Sequence, residues 1–206
     1  MIYNYILKKF NYGDPIFLSE IPSKSKSYLR LAVKKLVDKG LLERFYNGVY
    51  FLPYKTILGT KGKISFEKFI EKKFLYSSNN EIEGFVGGIR LSNMYGFTTQ
   101  NASGYDIYSN IATTKQRVFN FENRKVNIYK PYVKINKENI KVLEFLELMC
   151  NVYKFSELNN DEIKRKINEY VKINSIEFNK VKEYIEYYPD IVYKNIYKAG
   201  LMNELV

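Results

Sequence analysis

Histidine is absent from this 206-residue chain, and cysteine occurs once, at Cys150. The first absence removes the commonest general base and metal ligand. The second excludes an intramolecular disulfide framework and any multi-cysteine zinc site, and it fits a reducing, cytoplasmic compartment. No apolar run approaches the roughly eighteen residues of a membrane span. At the N-terminus Lys8 and Lys9 follow the apolar residues, the reverse of a signal peptide, so neither export nor membrane anchoring is expected.

Hydrophobic residues make up 46% of the chain and aromatics 17%, enough to bury a core and offset the entropy of ordering it. The length suits one small and one medium domain. A net charge of +11 favours a polyanionic partner such as nucleic acid. Part of that excess reflects A/T-rich codons, since Lys outnumbers Arg 27 to 6 and Ile, Asn and Tyr are abundant. Position therefore matters more than the sum, and residues 1–56, with ten basic and four acidic side chains, are the densest in positive charge.

Ile2, Ile6, Leu7 and Phe10 recur at helical spacing before Asn11 and Gly13 stop the pattern. Asp14-Pro15 turns the chain into a short extended piece at Ile16 and Phe17, and Leu18 to Ile21 allows one helical turn before Pro22. Ser23 or Ser25 can cap a third helix carrying Leu29, Ala32, Val33, Leu36 and Val37 on one stripe, ended by Gly40. Leu41 to Phe45 and Val49 to Leu52 read as strands about Tyr46-Asn47-Gly48, where Asn-Gly signals a hairpin because both residues tolerate positive φ. Three helices and a hairpin describe a winged helix-turn-helix.

The expected fold class is α+β: a winged helix-turn-helix over 1–53, a linker over 54–65, and a C-terminal domain over 66–206. That domain reads as mixed α/β over 66–135 and helical over 136–206. Phe66 to Tyr76 and Gly88 to Tyr95 are expected helices, the second closed by Gly96. Strands follow at Tyr105 to Ala112, Arg117 to Phe121 and Val126 to Pro131, the last two about a turn at Glu122-Asn123-Arg124. Apolar spacing then marks helices around Ile140 to Met149, Ile163 to Val171 and Phe178 to Tyr188, and Asp190 can cap a last one to Ala199.

If the third helix buries Leu29, Val33 and Leu36, it presents Lys26, Ser27, Arg30 and Lys34 outward, with Ser25 at its start. A recognition helix needs such a face, because its N-terminal residues reach base edges and Arg can pair with guanine through two hydrogen bonds. Lys24, Lys35, Arg44 and Asn47 are placed to meet phosphates. A lysine-rich outer face alone is ordinary helix solvation; its place on the third helix of this pattern points to DNA.

No catalytic or metal-ligating residue and no cofactor are expected. Cys150 lies on an apolar helical stretch, as a buried spectator would. Gly59-Thr60-Lys61-Gly62-Lys63 has two residues between its glycines where a phosphate loop has four. Gly87-Gly88 reads as a backbone requirement at a helix start rather than an anion nest. Glu81 and Glu83 read as a solvated loop, and Tyr184, Tyr187, Tyr188, Tyr193 and Tyr197 as core and rim.

The hairpin end Asn47-Gly48-Val49-Tyr50-Phe51-Leu52-Pro53, followed by Gly87-Gly88-Ile89-Arg90-Leu91-Ser92-Asn93-Met94-Tyr95-Gly96-Phe97-Thr98-Thr99-Gln100, resembles the AbiEi antitoxins of type IV toxin-antitoxin, or abortive-infection, systems. The resemblance covers roughly residues 1–150, with Ser109-Asn110 where such proteins often have Thr-Asn. It implies an N-terminal domain that binds inverted repeats in its own promoter and represses it, and a C-terminal domain that counters a co-transcribed nucleotidyltransferase-like toxin, directly or indirectly, in phage defence. The chain is unlike that toxin, having neither a Gly-Ser pair nor an Asp-x-Asp. Gly87, Gly88, Asn93, Thr98, Thr99 and Gln100 form the candidate antitoxin surface, with helix packing and capping as the other role for the glycines and Asn93. A regulator without a toxin partner, and a protein-interaction module that neutralises a partner directly, remain the alternatives.

Overall fold

The structure is a computed structural model that describes residues 2–121 and 123–205. The described residues form an α+β fold with two small sheets, in two compact units divided between Lys73 and Phe74.

In the first unit α1 (Ile2–Lys9) leads to β1 (Ile16–Phe17), a 3-10 turn (Leu18–Glu20) and α2 (Lys26–Asp38). A hairpin of β2 (Glu43–Tyr46) and β3 (Val49–Phe51) follows. Ser25 starts α2 by accepting a bond from the Tyr28 N–H at 3.3 Å, and Gly40 leaves it at a φ of +69°. The three strands pair antiparallel in the order β1-β3-β2. Ile6, Ile16, Ile21, Leu29, Val33, Leu42 and Leu52 form the core between helices and sheet. At the hairpin tip Gly48 takes a positive φ of +75° but Asn47 does not, and the register shifts between Arg44 and Tyr46. A bulge, rather than the mirror-image turn expected from Asn-Gly, therefore closes the hairpin.

The 54–65 segment is built, not a free linker. Lys55 and Lys61 bridge antiparallel, the Thr56 and Thr60 hydroxyls lie 2.7 Å apart, and the Tyr54 hydroxyl donates to the Lys63 carbonyl at 3.0 Å. Glycine is needed at Gly62 because a Cβ there would overlap the Tyr54 ring. The next helix, α3 (Phe66–Ile70), belongs to this unit and not to the domain expected from residue 66. Its Phe69 is fully buried, with ring centroids 6.2, 5.4 and 5.9 Å from those of Phe17, Phe45 and Tyr46. Lys72, in the π-helical turn after α3, reaches Glu20 at 3.0 Å and the Pro15 carbonyl at 2.7 Å.

The second unit begins with β4 (Gly84–Gly87), which the sequence reading missed, followed directly by α4 (Gly88–Met94). The strands β5 (Gly104–Ser109), β6 (Gln116–Phe121) and β7 (Arg124–Tyr129) complete a sheet ordered β4-β5-β7-β6, in which β5 and β7 run parallel. Glu122, at the expected turn between β6 and β7, lies outside the described residues. Four helices follow: α5 (Ile140–Phe155), α6 (Asn160–Ile173), α7 (Phe178–Ile185) and α8 (Ile191–Lys198). Val142, Leu143, Phe145, Leu146, Leu148, Met149 and Val152 are all buried, so α5 is enclosed on nearly every side and acts as the central strut. Phe85, Leu91 and Phe97 share one cluster with these helices, so no boundary falls between the mixed and helical stretches expected on either side of residue 135. Asp190 occupies the cap position of α8 but makes no side-chain cap bond.

Candidate functional site

In the first unit, α2 presents a cationic surface because its apolar stripe is narrow. Leu29 and Val33 face the core, which leaves Lys26, Ser27, Arg30, Lys34 and Lys35 exposed. Lys24, just before the helix, is exposed as well. Among the described residues Lys24, Lys26, Arg30, Lys34 and Lys35 enter no ion pair. Ser25, expected at the DNA-facing end, is engaged as the helix cap. On the hairpin Arg44 donates through Nη2 to the Asn47 side chain at 3.1 Å and through Nε to the Tyr46 carbonyl at 3.4 Å. Both expected hairpin residues thus stand together and exposed at its tip, with the guanidinium oriented by the turn itself.

The second candidate surface comes apart by burial. Gly87, Gly88 and Thr98 are buried, leaving Asn93, Thr99 and Gln100 exposed. Gly88 has a φ of +62°, and a Cβ there would overlap the Asp106 carboxylate; a Cβ on Gly87 would lie 2.7 Å from the Tyr108 ring. These glycines let β4 turn into α4 while β5 passes beneath, so their role is close packing. The Asn93 side chain donates to the Thr98 carbonyl at 3.1 Å. Thr99 donates from its backbone N–H and hydroxyl to Glu157 at 3.1 and 2.7 Å, bonds that hold the Glu157 carboxyl below its ordinary range. The segment therefore fastens the end of α4 to the chain after α5. Ser109 and Asn110 also act structurally: Ser109 Oγ donates to the Phe74 carbonyl at 2.6 Å, and the Asn110 amide bonds both ways with the Ile135 backbone at 2.8 and 2.9 Å.

Beneath those glycines lies a polar cluster that sequence reasoning did not find. Glu147, on α5 and 3% exposed, accepts from Asn151 Nδ2 at 2.9 Å and is also bonded by the Tyr108 hydroxyl and the Gly88 N–H. Burial, reinforced by the charge of Asp106, pushes its carboxyl up to about 7 against those bonds. Burial likewise pushes the Tyr108 hydroxyl up, and the Cys150 thiol up to about 12, with Glu147 adding to both. Cys150 is half-buried rather than fully buried as expected. Asp106 accepts from Asn127 Nδ2 at 2.8 Å and from the Tyr129 hydroxyl. Beside this network Arg90, Ser103, Gly104, Asp106, Lys125 and Asn127 line a cavity of about 190 Å³. Arg90 is already committed there, donating to the Gly104 carbonyl at 2.9 Å and lying 3.6 Å over the Tyr105 ring. The clue in the sequence was Gly87-Gly88 itself, because two glycines at a strand-to-helix turn mark a close backbone approach.

Among the described residues no group of three or more acidic or cysteine side chains is placed to hold a metal, and no helix is long and apolar enough to cross a membrane. Comparison of the chain with protein families, curated proteins and solved structures finds no match.

Proposed function

We propose that the first unit is a winged helix-turn-helix that binds duplex DNA, with α2 as recognition helix and the β2–β3 hairpin as wing. The observation that carries this reading is the set of cations exposed on α2 and just before it, Lys26, Arg30, Lys34 and Lys35 together with Lys24. Such cations displace the counterions condensed on phosphates, and Arg30 offers the two parallel donors that match a guanine edge. Arg44 and Asn47 on the hairpin add backbone contacts that set register.

From the resemblance of the 47–53 and 87–100 segments to AbiEi proteins, the whole chain acts as an antitoxin and autorepressor in the cytoplasm. It binds inverted repeats in its own promoter and counters a nucleotidyltransferase-like toxin, with no catalysis or cofactor of its own. The test is a mobility shift on the DNA upstream of its gene, with competitor DNA present. Arg30→Ala should weaken binding by about 1–3 kcal/mol and relax sequence preference, whereas Arg44→Ala should weaken all sequences evenly. If both variants bind like wild type, the interface is elsewhere. A second reading, that the first unit docks a protein, is favoured by Ile57 and Leu58, which are almost wholly exposed at the tip of the 54–63 turn.

A further inference from the structure

The outward face of α2 carries one side chain, Leu31, for which phosphate contact provides no role, and beside it the ring of Tyr28. Leu31 is 61% exposed and Tyr28 62% exposed, and Leu31 lies outside the core cluster of its unit. At about 100° per residue, Leu31 points nearly opposite Leu29, at the centre of the exposed face. Ser27, Lys34 and Arg30 flank it on one side, and Lys35 and Tyr28 on the other. Lys34 and Lys35, on opposite flanks of a helix lying in a major groove, meet the two phosphate backbones, which leaves the centre of the face, with Arg30 reaching in from its edge, against the groove floor. A leucine there has no donor or acceptor. The apolar group that the floor offers it is the C5-methyl of thymine.

We propose that Leu31, with the Tyr28 ring beside it, reads thymine methyl groups in the major groove, so that the target of α2 is thymine-bearing B-form DNA. This rests on the DNA-binding reading above and adds the base class that the centre of the face selects. It also sets DNA apart from duplex RNA, whose major groove is too deep and narrow for a helix and lacks the methyl.

The test uses the full chain and the duplex upstream of its own gene, prepared once with thymine and once with deoxyuridine at every thymine position. The exchange removes the methyl and keeps the pairing pattern of every base. Wild type should bind the thymine duplex more tightly by about fourfold for each methyl contacted. Leu31→Ala should bring that preference towards unity while still binding both duplexes, since the flanking cations are intact. Leu31→Met, which keeps an apolar side chain of similar volume, should retain the preference. Equal binding of the two duplexes by wild type, or an unchanged preference in Leu31→Ala, overturns the proposal and leaves the DNA reading standing. Binding to neither duplex overturns the DNA reading, and the proposal with it.

Discussion

Glu147 is the residue whose environment is most at odds with its charge. Its carboxyl rises from the ordinary 4.5 to about 7 in the folded chain, chiefly because it is buried. Between those values the folded state holds a proton that the unfolded state has released, so stability should fall as pH rises from about 4.5 to about 7 and level off above it. The difference corresponds to about 3 kcal/mol at most. Glu147→Gln keeps the shape and one accepting oxygen and removes the charge, so it should flatten this slope and raise the urea midpoint at pH 8 more than at pH 5. An identical pH slope in the two proteins would show that another group carries it. Gly88 is the second sensitive position, being both at a positive φ and against the Asp106 carboxylate. Gly88→Ala should cost roughly 2–4 kcal/mol in urea unfolding, more than the backbone strain alone; a loss below about 1 kcal/mol would mean that β5 can give way.

At the scale of elements, long periodic segments were legible and short contextual ones were not. The stripe from Leu29 to Val37 and the glycine at position 40 marked α2, apolar spacing marked three helices of the C-terminal stretch, and Asp190 marked the start of the fourth. The strand β4 was missed because Gly84-Phe85-Val86-Gly87 carries too few side chains to show alternation, and its pairing with β5 is what makes it a strand. Residues 54–65 were misjudged for a related reason. Their glycines suggested flexibility, yet Gly13 and Gly62 both make room for the Tyr54 ring, a contact no local pattern records. For the candidate sites, the cationic face of α2 was readable from helical period alone, whereas Glu147 and Asp106 come together across α5 and β5, far apart in sequence. If Tyr54 pins this turn, Gly62→Val should displace the ring and speed proteolysis at Ile57–Leu58 several-fold relative to wild type. Unchanged cleavage would show that the Lys55–Lys61 bridge holds the turn without Tyr54.

For the whole molecule, the division after Lys73 decides what can be separated. A 1–53 fragment lacks Phe69 and Lys72, so Phe17, Phe45 and Tyr46 lose the ring they surround and Glu20 loses its ion pair. A 1–73 fragment keeps them and should show a cooperative thermal transition and bind DNA, while the 1–53 fragment should show neither. A folded, binding 1–53 fragment would mean that α3 is dispensable to this unit. The +11 charge leads to the most direct test of the central claim, that the outward face of α2 meets DNA phosphates. The measurement is the affinity of the full chain for its upstream duplex across a salt series, for wild type and for the Lys34→Ala/Lys35→Ala double variant. With roughly five to eight phosphates contacted, log K should fall against log salt with a slope of about minus five to minus seven, and the variant should be shallower by about two. A flat wild-type response, or one slope shared by both proteins, would contradict it.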